Sequence, residues 1–370
     1  MAEKQAVGSI NSREGETLKY TYPPETKADL DYADLVALDL SLFDSPRGVE
    51  RLADQLKNAV ENTGFFYITN FGLSQAEIDH QFAIAKEVFD LPLSEKLKYE
   101  ANLEMDGYVG YRPSGNRELV PGVFDNIEVY GFDQFNSYRR RRELPPVVEQ
   151  NLSSIEKVSR HLHIEVGGKL LRLISIVLGL PEDYFLSRHR YDHKGGCNLR
   201  YLKYGARSAE EVEKLGETPS VRGHTDFGTL TFLLRQPVAG LQVNTPDGQW
   251  KYVKAHPASI TVNVADMMDF VTGGYLRSSV HRVLSPPADQ ARLDRIGVVY
   301  FLRYEDDVAL RRVDSPILKD WGSRSRLGEA SGITAGEWVK ARTSDNAKMT
   351  AIYLNHEPQV AGGIKVKNYA

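Results

Sequence analysis

The hydrophobic positions change period midway along the chain. Before about residue 190 they recur at three- and four-residue steps, the spacing of one helix face; from Cys197 onward they alternate, the spacing of a half-buried strand. In the first half, residues 36–40 are an apolar run suited to a strand. Ser45-Pro46 then offers an N-cap followed by proline at the first helical position. Val49, Leu52, Leu56 and Val60 follow at helical spacing, and Gly64 ends that helix. Residues 65–70, aromatic and β-branched, predict a strand. Ser74-Gln75-Ala76-Glu77 is a capping box opening a helix with Ile78, Phe82, Val88 and Phe89 on its apolar side. Leu91-Pro92-Leu93 stops it, and Ser94-Glu95-Lys96 begins a further helical turn.

Residues 105–134 are rich in glycine, proline and aromatics, and 106–113 and 124–130 read as strand edges joined by loops. Such a loop either lines a pocket or packs on the surface. The basic run 139–142, beside Glu143 and two prolines, reads as a solvated loop. Residues 152–180 predict the longest helix, with Ile155, Val158, Leu162, Val166, Leu170, Ile174 and Val177 on one face. Gly167-Gly168 costs it roughly 1 kcal/mol per residue and suits a close crossing with a sheet. His161 and His163 lie two apart on that helix, point in different directions, and read as structural or exposed.

In the second half, strands are predicted at 198–204, 229–234, 241–243, 250–253, 259–264, 278–284 and 295–302. Thr245-Pro246-Asp247-Gly248 turns one pair into a hairpin. Residues 207–217 read as an exposed charged insertion, Thr334-Ala335-Gly336-Glu337 as the capping box of a C-terminal helix with Trp338 and Val339, and the final residues as loose. The fold class expected is mainly β with helices (α+β): a double-stranded β-helix, or jelly roll, with the N-terminal helices covering its outer face. Residues 1–30 form a flexible arm, 31–190 an N-terminal helical support region, 191–310 the jelly-roll core and 311–370 a C-terminal helical extension. These are parts of one catalytic unit, not independent domains.

Composition narrows the partners. Of 370 residues, 46 are Lys or Arg and 50 are Asp or Glu; the net charge of −4 gives no reason to expect nucleic acid or a membrane surface. The single cysteine, Cys197, excludes an intramolecular disulfide and any multi-cysteine metal site, and reads as a buried thiol. No run of about 18 apolar residues predicts a membrane span, and the N-terminal residues lack a signal core. A cytoplasmic, reducing compartment is expected, which also keeps iron ferrous. Nothing in the sequence marks an oligomeric state.

The chemistry concentrates in Gly223-His224-Thr225-Asp226-Phe227-Gly228. On an extended strand His224 and Asp226 would project to one face, and His281 supplies a third candidate ligand. Two imidazoles and one carboxylate on one face of an octahedral metal leave three positions open, the arrangement of non-haem Fe(II) oxygenases. Taken alone the triplet is weak: Asp226 also reads as a turn or cap residue, and His224 as a hydrogen-bonded core histidine.

Further segments carry a resemblance. Residues 63–72 and 89–96, Gly223-His224-Thr225-Asp226-Phe227-Gly228-Thr229-Leu230-Thr231, Gly240-Leu241-Gln242-Val243, Val262-Asn263-Val264-Ala265-Asp266 and Ser279-Val280-His281-Arg282-Val283 together resemble the isopenicillin N synthase-like family of Fe(II)/2-oxoglutarate-dependent oxygenases. Tyr300-Phe301 with Glu305-Asp306-Asp307 is similar to fungal members in particular. The resemblance implies an iron held by His224, Asp226 and His281, with Arg295 on the distal carboxylate of 2-oxoglutarate and Arg292 as its nearby competitor. It implies that Tyr204 hydrogen-bonds the co-substrate and that Arg200, Phe227 and Phe301 match positions that meet substrate in some relatives. The implied reaction spends molecular oxygen and 2-oxoglutarate, releases succinate and carbon dioxide, and oxidises a C–H bond of a small molecule by hydroxylation, desaturation or ring closure, as in secondary metabolism.

One residue departs from the pattern: Gly297 stands where the family usually has serine. Losing that hydroxyl costs on the order of 1–3 kcal/mol if its bond to the carboxylate is charge-assisted. Either another donor such as Tyr204 compensates, or the chain is an iron oxidase that does without 2-oxoglutarate. A catalytically silent binding protein and a zinc hydrolase on the same ligands are further readings. The aromatics Tyr108, Tyr111 and Phe227 suggest an apolar or ring-bearing substrate.

Overall fold

The computed structural model describes residues 18–102, 108–139, 142–319, 321–322, 332–348, 359–361 and 364–366, with backbone alone beyond residue 343. In the N-terminal half, β1 (Ala37–Asp39) pairs in parallel with β2 (Phe65–Thr69), and α1 (Pro46–Asn62) crosses between them. Ser45 caps α1 by accepting from the Gly48 amide. α2 (Gln75–Asp90) opens on the full capping box, the Ser74 hydroxyl accepting from the Glu77 amide and the Glu77 carboxylate from the Ser74 amide. Next come α3 (Leu93–Lys96), β3 (Gly110–Arg112), a small hairpin of β4 (Glu118–Val120) and β5 (Val123–Phe124), and β6 (Ile127–Asp133). The short α4 (Pro146–Gln150) leads to α5 (Leu152–His161) and α6 (Gly168–Val177).

The second half supplies β7 (Asn198–Tyr204), α7 (Ala209–Leu215), β8 (Val221–His224), β9 (Leu230–Leu234), β10 (Leu241–Asn244), β11 (Trp250–Tyr252) and β12 (Ile260–Val264). After it come α8 (Asp266–Val271), β13 (His281–Val283), β14 (Arg295–Leu302), α9 (Ala335–Lys348), β15 (Gln359–Ala361) and β16 (Ile364–Val366).

Eight strands form one sheet in the order β1-β2-β12-β9-β14-β7-β6-β3, and four form a second in the order β11-β10-β13-β8. The large sheet has two unlike faces, fixed by its registers. On one face stand Phe66, Val262, Phe232, Tyr300, Leu199, Tyr201, Tyr130 and Tyr111, all buried in the main core with the helices. On the other stand Asn263, Thr231, Phe301, Asn198, Arg200, Tyr204 and Arg295, which face the smaller sheet. A strand alternates its side chains, so one sheet can seal an apolar core behind and present polar groups in front. This is the jelly roll with helical backing that the change of period predicts.

Several expectations are corrected. The arm of residues 1–30 is packed from Leu18 onward: the Tyr20 ring stacks on Phe82 at 5.3 Å, and Thr26 and Lys27 donate to the Asp289 carboxylate. Residues 1–17 lie outside the described residues. The long helix is interrupted by a π turn at Leu162–Gly167, where a Cβ on Gly167 would lie 3.2 Å from Leu302 Cδ2. The segment 207–217 is not merely an exposed insertion: α7 has its own capping box and buries Leu215 against Leu119 and Val123. Arg142 is not solvated, because its guanidinium donates to the carbonyls of Val109, Tyr99 and Glu100 and ties those loops together. β6 is an interior strand and no edge. Tyr111 does not face the site; it lies on the helix side and donates to Glu128. The final residues include the hairpin of β15 and β16. His161 and His163 are structural, as expected: His161 Nε2 donates to the Phe71 carbonyl, and His163 donates from Nε2 to the His189 carbonyl and accepts at Nδ1 from the Tyr300 hydroxyl.

Gly131 shows how tightly the loop before β3 is held. A Cβ there would lie 1.9 Å from the Tyr108 carbonyl oxygen, closer than two atoms can approach. Gly131→Ala therefore forces backbone movement, and thermal or urea denaturation should show a loss of about 1–3 kcal/mol.

Candidate metal centre

The site begins with one pairing. β13 lies antiparallel to β8 with His281 directly opposite His224. That register brings the two imidazoles to a centroid distance of 4.3 Å. β8 ends at His224, so Asp226 is placed by the turn after the strand, not by strand alternation. The turn is pinned: the Asp226 carbonyl accepts from the Asp266 amide and the Gly228 carbonyl from the Met267 amide, both at 2.8 Å. Gly228 is required there, because a Cβ would lie 2.7 Å from the Leu302 carbonyl oxygen.

The result is three ligand atoms within 4.8 Å of one another. His224 Nε2 lies 3.9 Å from Asp226 Oδ1, and His281 Nε2 3.9 Å from Asp226 Oδ2. Donors about 2.0–2.2 Å from an ion on one octahedral face stand ~3 Å apart, so the three side chains would draw together by roughly an ångström or more to hold it. The outer nitrogens are already engaged: His224 Nδ1 meets the Arg222 carbonyl at 3.0 Å and His281 Nδ1 the Ser279 carbonyl at 3.2 Å. A carbonyl only accepts, so each Nδ1 carries the proton and each Nε2 turns its lone pair to the centre. Burial and the facing His281 hold His224 below its usual pKa, which keeps it neutral and ligand-ready. Asp226 Oδ2 accepts from Thr231 Oγ1 at 2.7 Å and Asn263 Nδ2 at 3.0 Å, which aims the carboxylate. The donor set of two neutral imidazoles and one carboxylate fits a ferrous ion with open positions.

Arg295 is buried on the inner face, while its competitor Arg292 is exposed. Its register partner is Tyr204, whose ring lies 4.8 Å from the guanidinium, and Arg295 Nε donates to the Val238 carbonyl. Burial lowers its proton affinity and only Tyr204 offsets this, so among the described residues no carboxylate balances the charge. Gly297 shares its face. A Cβ there would make ordinary contacts of 3.8–3.9 Å with Leu202 and Leu233, so no packing constraint demands the glycine.

Arg200 and Phe301 occupy the inner face beside one another, the guanidinium 4.3 Å from the ring. Phe227 follows Asp226 directly; its carbonyl accepts from Trp338 Nε1 on α9, and its ring lies 4.5 Å from the Arg303 guanidinium. Cys197 is a buried thiol, pushed up to about 11 by burial. The sequence reading missed Thr231, Asn263, Arg303 and Trp338. The first two carry a legible signal, since each is polar inside an apolar strand run, and buried polar groups need partners. Arg303 and Trp338 reach the site through tertiary packing that no local pattern marks.

Comparison with known proteins places the chain by family and fold. Residues 35–148 match the family described as the non-haem dioxygenase in morphine synthesis N-terminal domain, and residues 196–303 match the 2OG-Fe(II) oxygenase superfamily. A 2-oxoglutarate-dependent dioxygenase of Dothideomycetidae sp. (strain 11243) is 32% identical over 302 residues, spanning 79% of this chain and 89% of that one. The 2-oxoglutarate-dependent dioxygenase gloE of Glarea lozoyensis is 31% identical, spanning 78% and 86%. The crystal structure of a putative 2OG-Fe(II) oxygenase family protein from Caulobacter crescentus superposes with a TM-score of 0.71 at 26% identity, covering 85% of this chain and 99% of that one.

The carboxylate's supports give a direct test. Thr231→Val removes the hydroxyl that donates to Asp226 and keeps the side chain's shape. Calorimetric titration with Mn(II) should show affinity falling at least about tenfold.

Proposed function

Because the chain belongs to the 2OG-Fe(II) oxygenase superfamily, we propose that His224, Asp226 and His281 hold its iron and that Arg295 holds its 2-oxoglutarate. The enzyme is an Fe(II)- and 2-oxoglutarate-dependent oxygenase that takes molecular oxygen and a small-molecule substrate. The observation that carries the residue assignment is the cluster of three ligand atoms whose outer nitrogens are already committed to backbone carbonyls.

Bound there, ferrous iron supplies the oxygen chemistry that couples oxidative decarboxylation of 2-oxoglutarate to attack on a substrate C–H bond. The protein's part is positioning. Arg295, buried and without a carboxylate partner among the described residues, suits the distal carboxylate of the keto acid through two parallel hydrogen bonds. Tyr204 stands beside it with a hydroxyl that offers the donor position 297 lacks. Thr231 and Asn263 keep Asp226 aimed. Arg200, Phe227 and Phe301 form the substrate side, and the C–H bond they present decides between hydroxylation, desaturation and ring closure. Among the described residues no helix is long and apolar enough to cross a membrane.

The test is anaerobic. Protein given Fe(II) and 2-oxoglutarate should develop a weak visible metal-to-ligand charge-transfer band. His281→Ala should abolish it, and Arg295→Ala should raise the 2-oxoglutarate needed at least about thirtyfold. Gly297→Ser should lower that concentration by up to about tenfold, since the space beside Leu202 and Leu233 accepts the side chain. A band unaffected by both alanine variants would overturn the assignment.

A further inference from the structure

The inner face of the jelly roll carries more positive charge than iron and 2-oxoglutarate can balance. A ferrous ion and Asp226 together leave one positive charge; with Arg295 that becomes two, which the dianionic keto acid cancels. Arg200, Arg303 and Arg112 remain. Arg200 is only 9% exposed and Arg303 4%. Burial, with Arg303 and Arg112 nearby as like charges, pushes the Arg200 guanidinium down to about 9. Among the described residues, Asp226 is committed to the metal cluster, Asp306 acts on Arg303 and Asp133 stands across from Asn198 on the neighbouring strand, so even with both counted one arginine charge is left over.

Arg200 is also built to receive something. Its guanidinium is held between two aromatic rings, 3.9 Å from the Tyr108 centroid and 4.3 Å from that of Phe301. Its Nε donates to Asn198 Oδ1 at 2.7 Å, which fixes the plane. Its Nη2 is buried and has no hydrogen-bond partner. Arg303 is held in the same way, Nη1 donating to the Gly196 carbonyl at 2.6 Å while Nε has no partner. A stacked, oriented guanidinium with a free edge is the geometry that grips a planar carboxylate. A neutral carbonyl would satisfy the hydrogen bond and leave the buried like charges uncompensated, which is the costlier defect.

We propose that the substrate carries a carboxylate, and that Arg200, oriented by Asn198 between Tyr108 and Phe301, binds it on the inner face beside the metal cluster. This deepens the proposed function and rests on it. The reacting C–H bond then belongs to a carbon skeleton anchored through its acid group, with the part nearer Phe227 free to be aromatic or apolar.

Benzoate and its neutral counterpart benzamide are the probes, added anaerobically to protein loaded with Fe(II) and excess 2-oxoglutarate so that Arg295 is occupied. Benzoate should raise the melting temperature in a saturable way and benzamide should not. Arg200→Lys, which keeps the charge and loses the fork, should weaken the benzoate effect at least about tenfold. Arg200→Met should abolish it, while melting no lower than the parent without benzoate because an unpaired buried charge has been removed. Equal protection by benzamide, no protection by benzoate, or protection that survives both variants would each overturn the proposal. The charge-transfer band is read in the same samples. A normal band without a benzoate effect removes this inference alone; no band removes the reading it rests on as well.

Discussion

Everything at the centre depends on the register of two short strands. His224 and His281 face one another because β8 and β13 pair antiparallel with those residues opposed. A shift of one residue would send one imidazole to the opposite face of the small sheet, and no side-chain adjustment would recover it. The same ladder continues to β10, where Val243 stands opposite His281. Val243 is fully buried, so hydrophobic burial and not the histidines themselves fixes the alignment. Asp226, outside the strand, is placed independently by α8, whose first amides hold the turn. The site therefore combines one ligand pair set by a sheet with one ligand set by a helix N-terminus, and the two meet only in the folded chain.

The large sheet explains how such a polar site is tolerated. Its rear face is sealed by α1, α2, α5 and α6 over a core that runs from Leu38 to Trp338. That burial stabilises the strands from behind, at about 25 cal/mol per Å² of apolar surface removed from water. The front face can then carry Asn263, Thr231, Arg200 and Arg295, groups that would be costly in a sheet buried by apolar packing on both sides. The polar side chains are satisfied in chains of contacts, Thr231 and Asn263 on Asp226 and Asn198 on Arg200, so each hydrogen bond also restricts the rotamer of the functional group it meets.

Much of this was legible in the sequence because its signals are local. The helix caps at Ser45, Ser74 and Thr334, the hairpin at 245–248 and the alternation through 295–302 each act over a few residues, and each element stands where they place it. The family motifs pointed to His224, Asp226, His281 and Arg295 for the same reason, and the fold brings the first three together and buries the fourth on the inner face. What escaped was decided by packing at long range. Residues 18–30 look featureless as sequence, yet Tyr20 and Tyr22 find Phe82 and hold the segment down. Residues 207–217 look solvated, yet one leucine, Leu215, finds the β4–β5 hairpin. Tyr111 and Tyr108 sit three apart in an aromatic loop, and only the pairing of β3 with β6 sends Tyr111 to the helix side while Tyr108 meets Arg200.

The C-terminal region belongs to the site and is no appendage. Trp338 is buried and donates from Nε1 to the Phe227 carbonyl, one residue beyond Asp226. Arg342, a turn further along α9, approaches Asp266 at 3.7 Å, the residue whose amide holds the Asp226 turn. Burial pushes the Asp266 carboxyl up to about 6, and Arg342 and Ser278 pull it back toward the charged form. So α9 is tied to the Asp226 turn at two points, by a hydrogen bond on one side and a charge on the other. It is also held to the main core, where Ala335 and Trp338 are buried with Val339 and Ala341 packed beside them, and the Ala335 and Gly336 amides donate to the Val308 and Asp306 carbonyls. The C-terminal helix is therefore part of the wall beside Phe227, fixed there from two directions, by the core it packs on and by the turn it braces.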